Sequence, residues 1–410
     1  MRKKDLLSFL LVLFCSFQKL DKKCKFVQDS MYQNCFVNEQ QPNTNGDLNY
    51  LNLDTNGDLN YLNLDISSYV TGLSSNQKNY FESRKEEIKE YKEITSFLSN
   101  FRGFGNLGNH FGIIALSNAA EGLAKLILDG SIEKEEGKFF LDKITNIAFG
   151  ISSYKNFDYP EKENALYLSH LNIILGIREL ICKDKKYFPL NKKISEYLAR
   201  KTLSDPQKHI RSFKNKKFKW PADQTATLYS LWLFDKNHHA NLSRKPIEEW
   251  LNWMEENGKD KNTGLHYSEI TGSTKYSRYP RGCALSFSIY YMSFFAPGEA
   301  KKLWEDYKKH YGVDLHFFYG FREWPKGAKK EVAKWDKDSG PILFGVGSAA
   351  TVLAKKAALS VGDKKVFLKL SNTLRISIEI FKKIFEDESF NFLINSLLLN
   401  SSNYILDWEK

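Results

Sequence analysis

The chain has 410 residues, of which 42% are hydrophobic, and it carries 60 Lys and Arg against 49 Asp and Glu. This hydrophobic content excludes a disordered protein, 30 Phe and 21 Tyr exclude a collagen-like or coiled-coil rod, and a mean hydropathy of -0.46 argues against a multispan membrane protein. The formal charge of +11 is spread over lysines without an arginine-rich block, so we expect no nucleic-acid partner.

Residues 1–24 have the pattern of an export signal and its flank. A basic start, RKK at 2–4, precedes an apolar run at 6–14 that is too short to span a bilayer as a helix. Cys15 follows directly, so lipidation as in a bacterial lipoprotein is one alternative, and a buried N-terminal helix is another. We expect a protein of the bacterial cell envelope, either periplasmic or tethered to the membrane through its N-terminus.

Residues 25–75 are rich in Asn, Asp and Gln, which predicts a low-complexity linker. The linker contains an 11-residue tandem repeat, TNGDLNYLNLD, at 44–54 and again at 55–65. Five oxygen-bearing residues of the repeat have the spacing of a calcium-binding loop: Asp54, Asn56, Asp58, Asn60 and Asp65. Leu59 occupies the position where such a loop needs glycine. We therefore favour a duplication in a solvated linker over a calcium site.

The cysteines show neither a CxxC pair nor zinc spacing; they are Cys15, Cys24, Cys35, Cys182 and Cys283. In an oxidising compartment Cys24 and Cys35 could form a disulfide, and free thiols are an equal alternative. The chain has no Rossmann fingerprint, P-loop or HExxH motif, so we expect no nucleotide cofactor and no metal.

From residue 76 to residue 410 two kinds of predicted helix alternate. Apolar residues surround the first kind nearly completely, at 108–127, 164–181, 221–234, 281–296, 340–359 and 390–405. The second kind is charged with one apolar stripe, at 77–99, 132–149, 191–203, 244–257, 298–311 and 363–386. Convincing strand patterns are limited to short loop segments such as 265–270.

The apolar segments begin 50 to 60 residues apart, a period of two helices plus their loops. Helices that are apolar all round must be buried, whereas helices with one stripe lie outside them. Six buried helices alternating with six outer ones predict an all-α fold, a closed (α/α)6 toroid of six helical hairpins. An open solenoid with polar ends is the alternative, and it would serve as a scaffold for a protein partner.

Polar residues gather where the predicted buried helices begin. In a toroid these ends converge on one mouth, so they predict a single concave pocket. The candidate catalytic residues are Asp223, Glu323, Asp338, His170 and Tyr279. The candidate substrate-binding residues are Arg281, Trp220, Trp324, Gln224, Cys283 and Tyr167.

Each candidate has a chemical role and a structural alternative. The three carboxylates are the expected acid and base, although Asp223 and Asp338 could instead cap helices. His170 and Tyr279 would polarise the substrate or relay protons, although a histidine in an apolar helix is often a core residue. Arg281 would bind substrate, or pair with Asp338.

The aromatic candidates and Cys283 likewise have a functional role and a structural alternative. Trp220, Trp324 and Tyr167 would offer faces for a sugar ring or an apolar ligand, or belong to the core. Cys283 lacks a partner close in sequence and suits a small buried residue.

Four motifs resemble the linalool dehydratase/isomerase-like proteins, within the wider group of six-hairpin, glycosidase-like toroids: YLSHLN at 167–172, WPADQ at 220–224, RGC at 281–283 and DSGPILFGVGSAAT at 338–351. The resemblance implies a bacterial (α/α)6 protein with its pocket where the inner helices begin, and acid/base work on an alcohol or sugar without a redox cofactor. The dehydratase's pair of cysteines is not matched in WPADQTATLYSL, where Asp223 suits carboxylate chemistry instead.

These observations predict an exported enzyme of the lyase, dehydratase, hydrolase or epimerase type. Its substrate would be a small molecule or a glycan, an alcohol or a sugar, and carboxylates would supply the acid and base. A non-catalytic envelope protein that binds a glycan or a lipid is the alternative function. The sequence gives no oligomeric state.

Overall fold

Buried and amphipathic helices alternate along the chain. The computed structural model describes residues 75–151, 164–213, 216–272, 279–314, 318–329, 333–343, 345–384 and 387–401. The export signal, Cys15, the tandem repeat with its calcium-like spacing, and the Cys24–Cys35 pair lie outside these residues.

Twelve α-helices and four short strands occupy the described part of the chain. In order they are α1 (Ser75–Ser99), α2 (Asn109–Leu128), α3 (Lys134–Gly150), α4 (Ala165–Cys182), α5 (Phe188–Ser204), α6 (Pro221–His238), α7 (Arg244–Asn257), α8 (Gly282–Phe295), α9 (Pro297–Tyr311), β1 (Gly312–Asp314), β2 (Tyr319–Phe321), β3 (Ile342–Leu343), β4 (Val346–Gly347), α10 (Ser348–Ser360), α11 (Lys364–Ile384) and α12 (Glu388–Asn400).

The even-numbered helices form a closed inner ring, in which each packs on the next and α12 returns to α2. Contacts between neighbours join residues at similar depths from the start of each helix. The fifth residue of α4, Ser169, meets the seventh of α6, Thr227, at 2.6 Å; the ninth of α10, Lys356, meets the tenth of α2, Asn118, at 2.7 Å. The inner helices are therefore parallel, and their N-termini open on one face, the mouth. The closed toroid is confirmed, and the open solenoid is wrong.

Local sequence signals set several helix ends. Pro221 begins α6, where its missing N–H costs nothing. Asn164 caps α4 by accepting a hydrogen bond from the backbone N–H of Tyr167 at 3.2 Å, and Asp387 caps α12 in the same way. The left-handed residue Lys183 ends α4, at φ 56°. These ends lie within a few residues of the predicted ones.

One predicted inner helix begins later than expected. The segment predicted as helix from 340 forms the hairpin β3–β4 first, and α10 starts only at Ser348. Gly340 and Gly345 take positive φ values of 58° and 82°, which interrupt a helix. A second hairpin pairs β1 with β2, and the strand-like segment 265–270 makes a single bridge from His266 to Lys259.

Helices α2 and α4 are long and apolar enough to cross a membrane by length and composition alone. Both belong to the inner ring, and 78% and 83% of their most apolar windows are buried inside it. Their hydropathy is therefore that of core helices in a folded domain.

A buried charged group, the axial cluster, joins three helices where the ring closes: Asn118, Glu121, Lys125, Lys356 and Asn400. Nζ of Lys356 lies 4.0 Å from Oε2 of Glu121, and Nζ of Lys125 donates to Oδ1 of Asn400 at 2.9 Å. Burial lowers the pKa of Lys356 to about 7 and that of Lys125 to about 8, and the charge of Glu121 opposes both shifts. Glu121 is the carboxylate of the axial cluster, and the buried Glu87 also favours the charged form of Lys125.

Gly282, the first residue of α8, packs directly on the backbone of the segment after β2. A Cβ on Gly282 would lie 2.0 Å from the carbonyl oxygen of Arg322, whereas a Cβ on Gly298 would have no atom within 4 Å. We expect Gly282→Ala to lower the free energy of unfolding by about 2–3 kcal/mol, because neither backbone can move freely. Urea unfolding checks this, and a Gly282→Ala chain as stable as the Gly298→Ala control would contradict it.

Candidate active site at the mouth of the toroid

Asp223 lies in the first turn of α6, at the mouth, with its side chain turned into the protein. The residue is only 5% exposed, and Oδ2 has no hydrogen-bond partner among the described residues. Trp220, the residue before this helix, makes no side-chain cap, and Asp223 is the acidic residue of the first turn, where a helix N-terminus favours negative charge. The structural alternative for Asp223 therefore stays open. A buried carboxyl with one unpartnered oxygen is costly to ionise.

The pKa of Asp223 is raised to about 7. Burial is the main cause, and the negative charge of Asp338 adds to it, whereas the Ser212 side chain favours the ionised form and opposes it. Asp223 therefore exchanges its proton near neutral pH, which is the property of a general acid.

Arg281, just before α8, holds three carboxylates. Nε lies 2.8 Å from Oε1 of Glu323, Nη2 lies 2.8 Å from Oδ1 of Asp336, and Nη1 lies 3.7 Å from Oδ2 of Asp338. The guanidinium also lies over the indole of Trp324, 4.7 Å from the ring centre. Because protein carboxylates surround it, Arg281 positions acidic groups at the mouth, and the predicted binding of a substrate anion by Arg281 is not what this geometry favours.

Glu323 is completely buried, and both of its carboxylate oxygens accept hydrogen bonds. Oε1 accepts from Arg281 and from the thiol of Cys283 at 3.1 Å, while Oε2 accepts from the backbone N–H of Cys283 at 3.1 Å. Burial raises the pKa of Glu323, and Arg281 opposes the rise. These contacts tie the segment after β2 to the start of α8, so Glu323 and Cys283 serve as positioning residues.

Asp338 is the carboxylate of this group that faces solvent most, with 42% of its side chain exposed. Asp336 accepts the backbone N–H groups of Asp338 and Ser339 at 3.1 and 2.9 Å and so fixes the turn that presents Asp338. Partial burial and the charge of Asp336 raise the pKa of Asp338, and Arg281 opposes the rise. The mouth thus holds two carboxyls in different surroundings, Asp223 and Asp338.

Aromatic side chains line the mouth beside Asp223. Trp220 stacks on Phe218 at 5.8 Å between ring centres and meets the edge of Phe213 at 5.3 Å. Phe213 in turn meets His110, at the start of α2, at 6.4 Å. Burial lowers the pKa of His110, and the charge of Lys337 lowers it further, so the 336–338 turn, α2 and α6 share one mouth.

His170, a predicted acid/base group, lies deeper in the ring. It is completely buried, and its Nδ1 lies 2.6 Å from the hydroxyl of Ser117. Burial lowers the pKa of His170 to about 3, and the charge of Lys356 adds to the effect. The imidazole is therefore neutral, and it belongs with the ring interior rather than with Asp223 and Asp338.

Three further predicted site residues, Gln224, Tyr167 and Tyr279, make hydrogen bonds to the surrounding backbone or side chains. Gln224 accepts from the backbone N–H of Ile210 and donates to Thr202, both at 3.0 Å, and Tyr167 donates to the carbonyl oxygen of Ala148 at 3.0 Å. Tyr279 is half-buried, and its carbonyl oxygen accepts from the N–H of Ser268 at 3.3 Å. These bonds assign Gln224 and Tyr167 to the framework around the mouth.

Four residues of the mouth are not among the site residues predicted from the sequence: His110, Ser212, Phe213 and Asp336. Asp336 stands in the same polar motif as Asp338, and His110 begins the first apolar helix, so position alone could have indicated both. Ser212 and Phe213 precede α6 in an irregular segment that carries no such signal. Within the described ranges, no group of three or more His, Cys, Asp or Glu side chains is placed to hold a metal ion.

The raised pKa of Asp223 predicts a pH-dependent stability. The folded-state pKa of Asp223 lies above the usual carboxyl value. Its contribution to the free energy of unfolding is therefore fully present below about pH 4 and is lost as the pH rises through about 7. Because asparagine cannot ionise, we expect the free energy of unfolding of Asp223→Asn to exceed that of the wild-type chain by about 2–4 kcal/mol above pH 7. Near pH 4 the two chains should coincide in urea unfolding. Equal stability at both pH values would contradict the assignment.

The fold is that of the (α/α)6 toroids, and solved structures of carbohydrate-active proteins share it. The structure of a polysaccharide lyase aligns with a TM-score of 0.51 and 10% identity, covering 78% of this chain and 97% of that one. A family 105 glycoside hydrolase from C. acetobutylicum aligns with a TM-score of 0.50 and 14% identity, covering 76% of this chain and 98% of that one. No protein-family model matches the chain. At these identities the likeness concerns the fold.

Proposed function

We propose that this protein is a glycan-active enzyme of the lyase or hydrolase type, with Asp223 as its general acid. The single observation that carries the proposal is the buried Asp223 carboxyl at the mouth of a closed toroid, with an Oδ2 atom that has no hydrogen-bond partner in the described ranges and a pKa of about 7. The toroid fold, which a lyase and a hydrolase share, supports a carbohydrate substrate.

The two carboxyls of the mouth divide the acid/base work. In hydrolysis, Asp223 donates its proton to the glycosidic oxygen as its bond to the sugar carbon breaks, and Asp338, held by Arg281, takes a proton from the water that forms the new bond to that carbon. In elimination, Asp338 takes the proton from the sugar carbon next to the one that loses the oxygen, and a carbon–carbon double bond forms as Asp223 protonates the leaving oxygen. Trp220 and Phe213 would contact the faces of sugar rings. The likeness to linalool dehydratase/isomerase-like proteins remains a prediction; its motifs WPADQ and RGC contain Asp223 and Arg281.

A panel of neutral and acidic polysaccharides tests the proposal on the purified full chain. New reducing ends report hydrolysis, and the ultraviolet absorbance of a conjugated double bond reports elimination. We expect product from at least one glycan with the wild-type chain. Binding without turnover across the panel would contradict the enzyme proposal.

A non-catalytic glycan- or lipid-binding protein is the second candidate. The observation that favours it is that Glu323 and Asp336 are bonded to Arg281 at 2.8 Å each, so two of the mouth's acids are already neutralised by the protein. Such a protein would bind a glycan equally well with Asp223 or with asparagine at that position.

We also propose that the protein is exported to the bacterial cell envelope. The basic start at 2–4, the apolar run at 6–14 and Cys15 support this address. Cell fractionation tests it, and Cys15→Ala separates a lipid anchor from simple export: an anchored chain would move from the membrane fraction to the soluble fraction.

A further inference from the structure

A groove adjoins the mouth and shares Trp324 with it. It has a volume of about 690 Å³, within the size range of small-molecule sites. Its charged and aromatic lining residues, here called the basic groove, are Arg322, Lys326, Lys334, Trp324 and Trp335. The described lining contains three cations and no acidic side chain.

Arg322 is the central cation of the basic groove. Its Nε atom is buried without a hydrogen-bond partner among the described residues. The guanidinium lies against the β3–β4 turn, since a Cβ on Gly345 would lie 2.8 Å from Nη1 of Arg322. A guanidinium with a free donor suits the planar, bidentate recognition of an anion.

The aromatic residues of the basic groove suit a sugar. Trp335 is 64% exposed, which is unusual for so large an apolar side chain, and it offers a flat face to a pyranose ring. Trp324 forms a wall shared with the mouth: its Nε1–H donates to the carbonyl oxygen of Lys334 at 3.1 Å, and the guanidinium of Arg281 lies 4.7 Å from its ring centre. Trp335 directly precedes Asp336, whose Oδ1 lies 2.8 Å from Nη2 of Arg281, so the groove and the acidic mouth are neighbours.

We propose that the basic groove is a subsite for an anionic sugar, and that the substrate is an acidic polysaccharide bearing carboxylate or sulfate groups. The inference rests on the proposed function and names its substrate class. Arg322 binds the anionic group, Lys326 and Lys334 add attraction, and Trp335 stacks on the ring.

Equilibrium binding to the full chain tests the subsite without need of turnover. The probes are tetragalacturonate, its neutral methyl ester and a sulfated carrageenan tetrasaccharide, followed by calorimetry. We expect at least one anionic probe to bind, and Arg322→Gln to weaken it about tenfold or more. The double variant Lys326→Ala, Lys334→Ala alters exposed side chains only and should weaken binding in the same direction. Lys301→Ala, on the exposed face of α9, is the control and should bind as the wild-type chain does.

The proposal is overturned if neither anionic probe binds, if the methyl ester binds as tightly as tetragalacturonate, or if both groove variants bind like the wild-type chain. It is also overturned if Lys301→Ala weakens binding equally, because the attraction would then belong to the overall positive charge. Comparison of the carboxylated and sulfated probes identifies the anionic group. Asp223→Asn should retain the binding, so failure of the enzyme proposal and failure of the subsite give different results.

Discussion

Asp223→Asn is expected to lower kcat on the glycan substrate by about 10²- to 10⁴-fold, with little change in KM. The amide keeps the shape of the carboxyl but has no proton to give to the leaving oxygen, and the loss of a positioned acid has effects of this size. Initial rates of product formation measure it, on the first glycan of the panel that gives turnover.

The control for this prediction is Glu248→Gln, a change of the same kind on an exposed residue of α7. It should leave kcat and KM unchanged. If Asp223→Asn turns over glycan as fast as this control, Asp223 is not the acid and the proposed mechanism is wrong.

Glu121→Gln is expected to lower the free energy of unfolding by about 3–5 kcal/mol near neutral pH. Lys125 and Lys356 are almost fully buried, and the charge of Glu121 opposes the lowering of both pKa values, with Glu87 adding a smaller effect on Lys125. Removal of one partner from a buried ionic group leaves uncompensated charge in a medium of low polarity. Urea unfolding at about pH 7 measures the effect.

The pH dependence of the destabilisation by Glu121→Gln distinguishes a lost charge interaction from lost packing. The folded-state pKa values of Lys125 and Lys356 are about 8 and 7, below the usual lysine value, so these lysines lose their charge in the folded state as the pH rises through those values. We expect the destabilisation by Glu121→Gln to shrink at about pH 9.5, where the lysines are neutral. A loss that is constant with pH would indicate packing instead. Glu135→Gln, in an exposed pair with Lys138, should change nothing measurable.

The architecture was predictable because buried and outer helices differ in composition over their whole length. Residues 165–182 are apolar on every side, whereas 244–257 carry one stripe, and that contrast repeats along the chain. The late start of α10 was not predictable from periodicity, since glycines at positive φ and the β3–β4 pairing override the apolar pattern of 340–347.

The candidate site was predictable in position but not in the bonding of its members. Polar residues at helix starts indicated the mouth, and Asp223, Arg281 and Asp338 are brought near it by the parallel ring. The sequence could not reveal that Glu323 is paired with Arg281, because that contact depends on the path of the chain after β2. His170 is the sixth residue of α4, and each helical residue adds about 1.5 Å of depth, so a few positions separate the mouth from the interior.

The central claim is that the mouth of the toroid holds a carboxyl that is protonated near neutral pH. Carbon-13 NMR of aspartate-labelled protein, titrated with pH and compared with Asp223→Asn to assign the resonance, measures this directly. We predict a carboxyl signal that titrates at about 7 and is absent in the variant. A signal assigned to Asp223 that titrates near the usual aspartate value of about 4 would contradict the claim.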